Sequence, residues 1–106
     1  IVSKINHPFI KMQLDTGAIA INDEPPSLIC SKYKDLIGHI HLSEPNLVPL
    51  GSDPSIHGEV AIALKEFLPE YPVTIEMLTN SQDNPDSVVD SSIKFIKQTY
   101  TKPKKI

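Results

Sequence analysis

The feature that most constrains this chain is a pattern repeated three times: a short apolar run, a polar turn, then a helical stretch. The first run is Phe9 to Leu14 and ends at Asp15. The second is Ile37 to Leu42, with Glu44 just beyond it, and the third is Val73 to Leu78. His7-Pro8 imposes an extended or turn conformation before the first run, and Pro72 marks the start of the third. The runs are short and largely apolar rather than strictly alternating. That composition suits strands of a parallel sheet covered on both faces. Upstream, Val2 and Ile5 are spaced as in the last turn of a preceding helix.

The segments between the runs read as helices. Ser27 to Leu36 places Leu28, Ile29, Tyr33 and Leu36 on one broad face, with Pro25-Pro26 at its mouth. In the second, Ser55 is the expected N-cap and Val60, Ala61, Leu64, Phe67 and Leu68 form the stripe, closed by Pro69 and Pro72. The third starts at Asn84-Pro85-Asp86, a cap followed by proline at the first helical position. Val88, Val89, Ile93 and Ile96 supply its buried face, and Tyr100 lies near its end.

A β-α-β-α-β-α order predicts an α/β fold with a parallel sheet. A (β/α)8 barrel of ~250 residues spends about 31 residues per unit. Asp15 to His41 is 26 residues and His41 to Glu76 is 35, so each step fits one unit. Three parallel strands cannot close a barrel, and both sheet edges would stay unpaired. The expectation is therefore three β/α units of a TIM barrel, a piece of a larger chain. The opening Ile1-Val2-Ser3-Lys4, without Met or a signal-peptide pattern, agrees with that expectation. Such a piece should meet either the rest of its barrel or further copies of itself. An open flavodoxin-like sheet is the structural alternative.

Charge excludes other classes. The 106 residues carry 10 basic and 13 acidic side chains, a net charge of -3, which gives no reason to expect nucleic-acid or membrane partners. No apolar run approaches the roughly 20 residues that span a bilayer. The single cysteine, Cys30, cannot form an intramolecular disulfide and reads as a small buried hydrophobe. The closing Lys102-Pro103-Lys104-Lys105 reads as a solvated tail.

Chemistry in such folds sits at the C-terminal ends of strands. Here those ends carry Asp15, His41 with Glu44, and Glu76. A carboxylate, an imidazole and a second carboxylate from three successive strands suit Mn²⁺, Mg²⁺, Co²⁺ or Zn²⁺. Glu76 is a charge in an otherwise apolar run, costly unless paired or metal-bound. Asp15 before Thr16-Gly17 also reads as a turn residue. His41 is the site histidine, and His39 is expected to be structural, on the opposite side of the strand. His57, at a helix start, is assigned to the helix surface or to the substrate rim.

These motifs resemble the closing motifs of the xylose-isomerase-like barrel superfamily, and of its tagatose/psicose 3-epimerase-type sugar phosphate isomerase/epimerases in particular. The residues that carry the resemblance are Leu14-Asp15-Thr16-Gly17, Gly38-His39-Ile40-His41-Leu42-Ser43-Glu44-Pro45-Asn46, Gly51, and Thr74-Ile75-Glu76-Met77. The segment His57 to Leu64 followed by Tyr71 is similar to that family's seventh helix and its exit. The resemblance implies that residues 1–106 are the C-terminal portion of one such barrel, strands six to eight. It implies a metal-dependent sugar isomerase/epimerase that moves a proton next to a carbonyl through an enediolate. Asp15, His41 and Glu76 would be three of four metal ligands, and Glu76 one of two proton-moving glutamates. Glu44, Asn46 and His57 would lie near the substrate. The fourth ligand, a glutamate, has no counterpart here, so these residues alone should be inactive. The implied setting is cytoplasmic, with a small-molecule sugar as partner.

Two positions depart from the family. Ala18 stands where many members have a substrate-contacting His, and Leu47 where many have an Arg. These losses motivate a competing class, a non-catalytic barrel relative that binds a ligand or partner. Abasic-site endonucleases share the barrel but need more His and Asp ligands. Leu14-Asp15-Thr16-Gly17-Ala18 also resembles the nucleophile loop of a retroviral-type aspartic protease, yet such proteins are nearly all-β with a glycine-rich flap. This chain has 4 glycines and well-patterned amphipathic helices.

Overall fold

The computed structural model describes residues 1–80 and 82–100. The terminal lysine run lies outside the described residues. Three short parallel strands form one sheet in the order β1-β2-β3: β1 is Met12–Asp15, β2 is Ile37–Leu42 and β3 is Val73–Ile75. Five α-helices accompany them: α1 (Val2–Ile5), α2 (Thr16–Ile21), α3 (Pro26–Tyr33), α4 (Gly58–Phe67) and α5 (Pro85–Tyr100). Single 3₁₀ turns at Pro45–Leu47 and Pro54–Ile56 interrupt the long connection from β2 to α4.

Local chemistry explains most boundaries. Asn84 caps α5, its Oδ1 accepting from the amides of Asp86 (3.0 Å) and Ser87 (3.4 Å), and Pro85 takes the first helical position, as expected. β2 has the expected limits. β1 begins three residues later than the apolar run suggests, because Phe9 and Ile10 are exposed on a turn ahead of the sheet. The expected cap of α4 moves as well. Ser55 sits in the 3₁₀ turn, where Asp53 accepts from its amide, and α4 starts after His57.

The core lies on one side of the sheet. Leu14, Ile40 and Leu42 point into a layer made by Cys30 of α3, Val60, Ala63 and Leu64 of α4, and Phe95, Ile96 and Tyr100 of α5. Each fully buried leucine or isoleucine there contributes about 1.5–3 kcal/mol. Burial in the same layer pushes the Cys30 thiol up from its ordinary range. No described residue covers the other face of the sheet, the side that would meet the remaining strands in a closed barrel. It carries Gln13, Asp15, His39, His41, Thr74 and Glu76, all exposed or half-buried. Because this face is polar, it can stand in water without a second helix layer.

A bulge creates this division. Met12 pairs with Ile37, but the next residue, Gln13, pairs with His39, so β2 holds one extra residue, Gly38. Ile37 therefore faces the core, whereas His39 and His41 face outward. Only glycine fits there, since a Cβ on residue 38 would lie 2.6 Å from Lys11 Cβ. Among the described residues no helix is long and apolar enough to cross a membrane.

Candidate active site

The strand register sets the polar face. Asp15 pairs with His41, and His41 with Thr74. Glu76 follows directly after β3, its amide donating to the Leu42 carbonyl (3.0 Å). Its carboxylate consequently reaches the His41 ring, with Nδ1 to Oε2 at 3.0 Å. Gln13 Nε2 lies 3.1 Å from the same ring nitrogen. One nitrogen cannot accept from the Gln13 amide and donate to Glu76 at once. The neighbours compete for it, and the charged carboxylate is the stronger partner for the N–H.

His39 packs edge-on against His41, ring centroids 4.6 Å apart. The two histidines share a face, as residues two apart on a strand must. The expectation that they oppose each other misread the alternation.

Asp15 stands on the same face but is engaged elsewhere. Its Oδ1 accepts from the Gly17 amide (3.2 Å) as the cap of α2, and from the Ser43 hydroxyl. Thr16 and Ser43 lock the two strand ends together: Thr16 Oγ1 donates to the Ser43 carbonyl and accepts from the Ser43 amide, both at 2.9 Å. Gly17 closes this knot, donating also to Ser43 Oγ (3.0 Å). A Cβ there would meet Ser43 Oγ at 2.5 Å and the Glu44 carbonyl at 3.1 Å. Gly17→Ala should therefore cost about 1–3 kcal/mol of overpacking strain. In a thermal melt of a chain this size, each kcal/mol appears as a fall of roughly 4–8 °C. An unchanged melting temperature would contradict the packing described.

Glu44 and His57 were expected near substrate, and both are in the interior. Glu44 is 1% exposed, and its oxygens accept from the amides of Gly51 (2.6 Å) and Asp53 (2.8 Å) and from His57 Nε2 (2.9 Å). His57, also 1% exposed, uses its other nitrogen on the Tyr100 hydroxyl. With their polar atoms already bonded, neither can reach a ligand on the open face, and His57 is not on the helix surface either. The polar sequence around Glu44 hid the fact that the connection folds back over it. Asn46 remains exposed, in left-handed backbone at φ 64°.

Residues expected to hold a metal are thus half assembled. His41 and Glu76 touch, and Asp15 is on the adjacent strand with Ser43 and Gly17. Among the described residues, no three His, Cys, Asp or Glu side chains converge as metal ligands. The donor types, two carboxylates and an imidazole, do fit a divalent cation. Gln13 is the neighbour that the sequence reading missed; its register opposite His39 is the signal that would have found it.

No protein-family model matches the chain, and no curated protein matches it. Solved structures do. The crystal structure of D-allulose 3-epimerase from Methylomonas sp. in complex with D-allulose superposes with a TM-score of 0.79 at 22% identity, over 93% of this chain and 40% of that one. The chain has the fold of part of a sugar-epimerase barrel. A structure of D-psicose 3-epimerase in the presence of D-fructose agrees, with a TM-score of 0.79 at 16% identity, over 93% of this chain and 41% of that one. The chain spans about 40% of the length of these epimerases. The three-stranded parallel sheet therefore matches one sector of such a barrel, and the resemblance read from the motifs holds at the level of fold.

Proposed function

We propose that this chain is the C-terminal sector, strands six to eight, of a sugar isomerase/epimerase barrel, and that its open polar face is the wall that meets the sugar. The observation that carries this reading is the His41–Glu76 pair at 3.0 Å on that face, at the C-terminal ends of adjacent strands. Glu76 is one of two glutamates that move the proton next to the sugar carbonyl: one removes it from one face of the sugar, and the other, supplied by another strand, delivers one to the opposite face. His41 orients the Glu76 carboxylate, and His39 packs edge-on against the His41 ring. Asn46, exposed on the rim, is placed to contact a sugar hydroxyl.

Asp15, His41 and Glu76 would hold a divalent cation together with a glutamate from another strand. Lewis-acid polarisation of two sugar oxygens is the chemistry such an ion supplies. The remaining barrel strands complete the pocket, so residues 1–106 alone are inactive in this reading. D-Allulose and D-fructose are the first substrates to try.

The full-length protein should interconvert these ketohexoses, lose activity after chelation and regain it with Mn²⁺ or Co²⁺. A second reading, a non-catalytic sugar-binding barrel, is favoured by one observation: Asp15 is already bonded to Ser43 and Gly17. Full-length protein that binds a sugar yet holds no divalent ion and turns nothing over would decide for that reading.

A further inference from the structure

The hydrogen bonds around Glu44 have a direction. Burial, and next the Glu44 carboxylate, push the Tyr100 phenol well above its ordinary range, so it keeps its proton. A protonated phenol beside His57 Nδ1 donates to it. In that arrangement Nε2 carries a ring proton, and it faces Glu44 Oε2 at 2.9 Å. The opposite tautomer would set a lone pair against the carboxylate. Phe95 and Tyr100 pack edge-on against the imidazole, centroids 4.9 Å and 5.6 Å away, so the ring cannot turn over freely. Glu44 in turn holds the amides of Gly51 and Asp53. Gly51, at φ +97°, lies against Phe95, where a Cβ would meet the ring at 3.2 Å.

We propose that Tyr100 is a positioning residue for the rim: through His57 it selects the imidazole tautomer that keeps Glu44 on the amides of Gly51 and Asp53, so the last turn of α5 sets the shape of the β2–α4 connection. This goes beyond the sugar reading and stands without it, because no member of the relay touches the open face. The rim contains Asn46, and the Leu47 carbonyl accepts from the Leu78 amide (2.7 Å), so the relay reaches the loop after β3 as well. Ser92 of α5 adds a second tie, Oγ to the Leu50 carbonyl at 3.4 Å.

The test is nuclear magnetic resonance on the full chain, wild type and Tyr100→Phe. In the wild type, the ¹⁵N shifts of His57 should show a protonated Nε2 and an unprotonated Nδ1. In Tyr100→Phe, where Glu44 alone biases the ring, the Nδ1-protonated tautomer should rise to a detectable fraction. Amide exchange at Gly51 and Asp53 should speed up at least about tenfold, with a smaller change in β2. A wild-type His57 carrying its proton on Nδ1 overturns the proposal without any variant. So does a Tyr100→Phe protein whose tautomer is unchanged, or whose exchange rises evenly through the core.

Discussion

Glu44→Ala is expected to cost the chain about 3–5 kcal/mol, the usual penalty for removing one partner of a buried pair. Its carboxylate is the common acceptor of two loop amides and of His57. Alanine leaves the buried His57 Nε2 without its acceptor and strips the part-buried Gly51 and Asp53 amides of theirs, and each buried group left unpaired costs about 1–3 kcal/mol. A domain of this size holds only about 5–15 kcal/mol in total, so the variant should sit near its unfolding threshold. In urea, the midpoint should fall by about 2 M, given a slope of roughly 1–3 kcal/mol per M. Circular dichroism and tyrosine fluorescence would follow it. Glu44→Gln should fall between the two, because an amide keeps one acceptor but turns an N–H toward donors. A Glu44→Ala midpoint close to wild type would mean that Glu44 is not the anchor described, and would return it to the list of ligand-facing residues.

Glu76→Gln should do the reverse, leaving the fold intact and removing turnover. Its side chain is on the open face, half exposed, and pairs with His41 through Oε2. Glutamine keeps the shape and a hydrogen bond to His41 but cannot take a proton. If Glu76 is the base of the proposed reaction, sugar interconversion by the full-length protein should drop about 10²–10⁴-fold. Exchange of deuterium from solvent into the sugar should drop by the same factor, since it reports the same proton removal. The melting temperature should move little. A variant that still washes solvent deuterium into the sugar at the wild-type rate would rule Glu76 out as the base.

The two substitutions sort the carboxylates by environment, and the sequence allowed only part of that sorting. Element order, the limits of β2 and the capped start of α5 were legible because each rests on local signals: apolar runs, proline positions and Asn84. The polar identities at the strand ends were legible for the same reason. The fate of Glu44 was not, because it depends on where residues 49–57 return in space, and nothing local marks a carboxylate that three distant donors will enclose. The same holds for His57, whose partner Tyr100 is on another helix. Asp15 shows the intermediate case. Its place on the strand follows from sequence, but its side-chain direction is decided by Ser43, 28 residues away.

The bulge at Gly38 gives the second strand a change of phase. Before it, odd-numbered positions belong to the oily side; after it, they belong to the wet side. If the strand ran straight through that point with the extra residue kept in line, the two would swap, turning imidazoles inward and isoleucine outward without altering any letter. The ability of this strand to present chemistry thus hangs on a residue that has no side chain of its own.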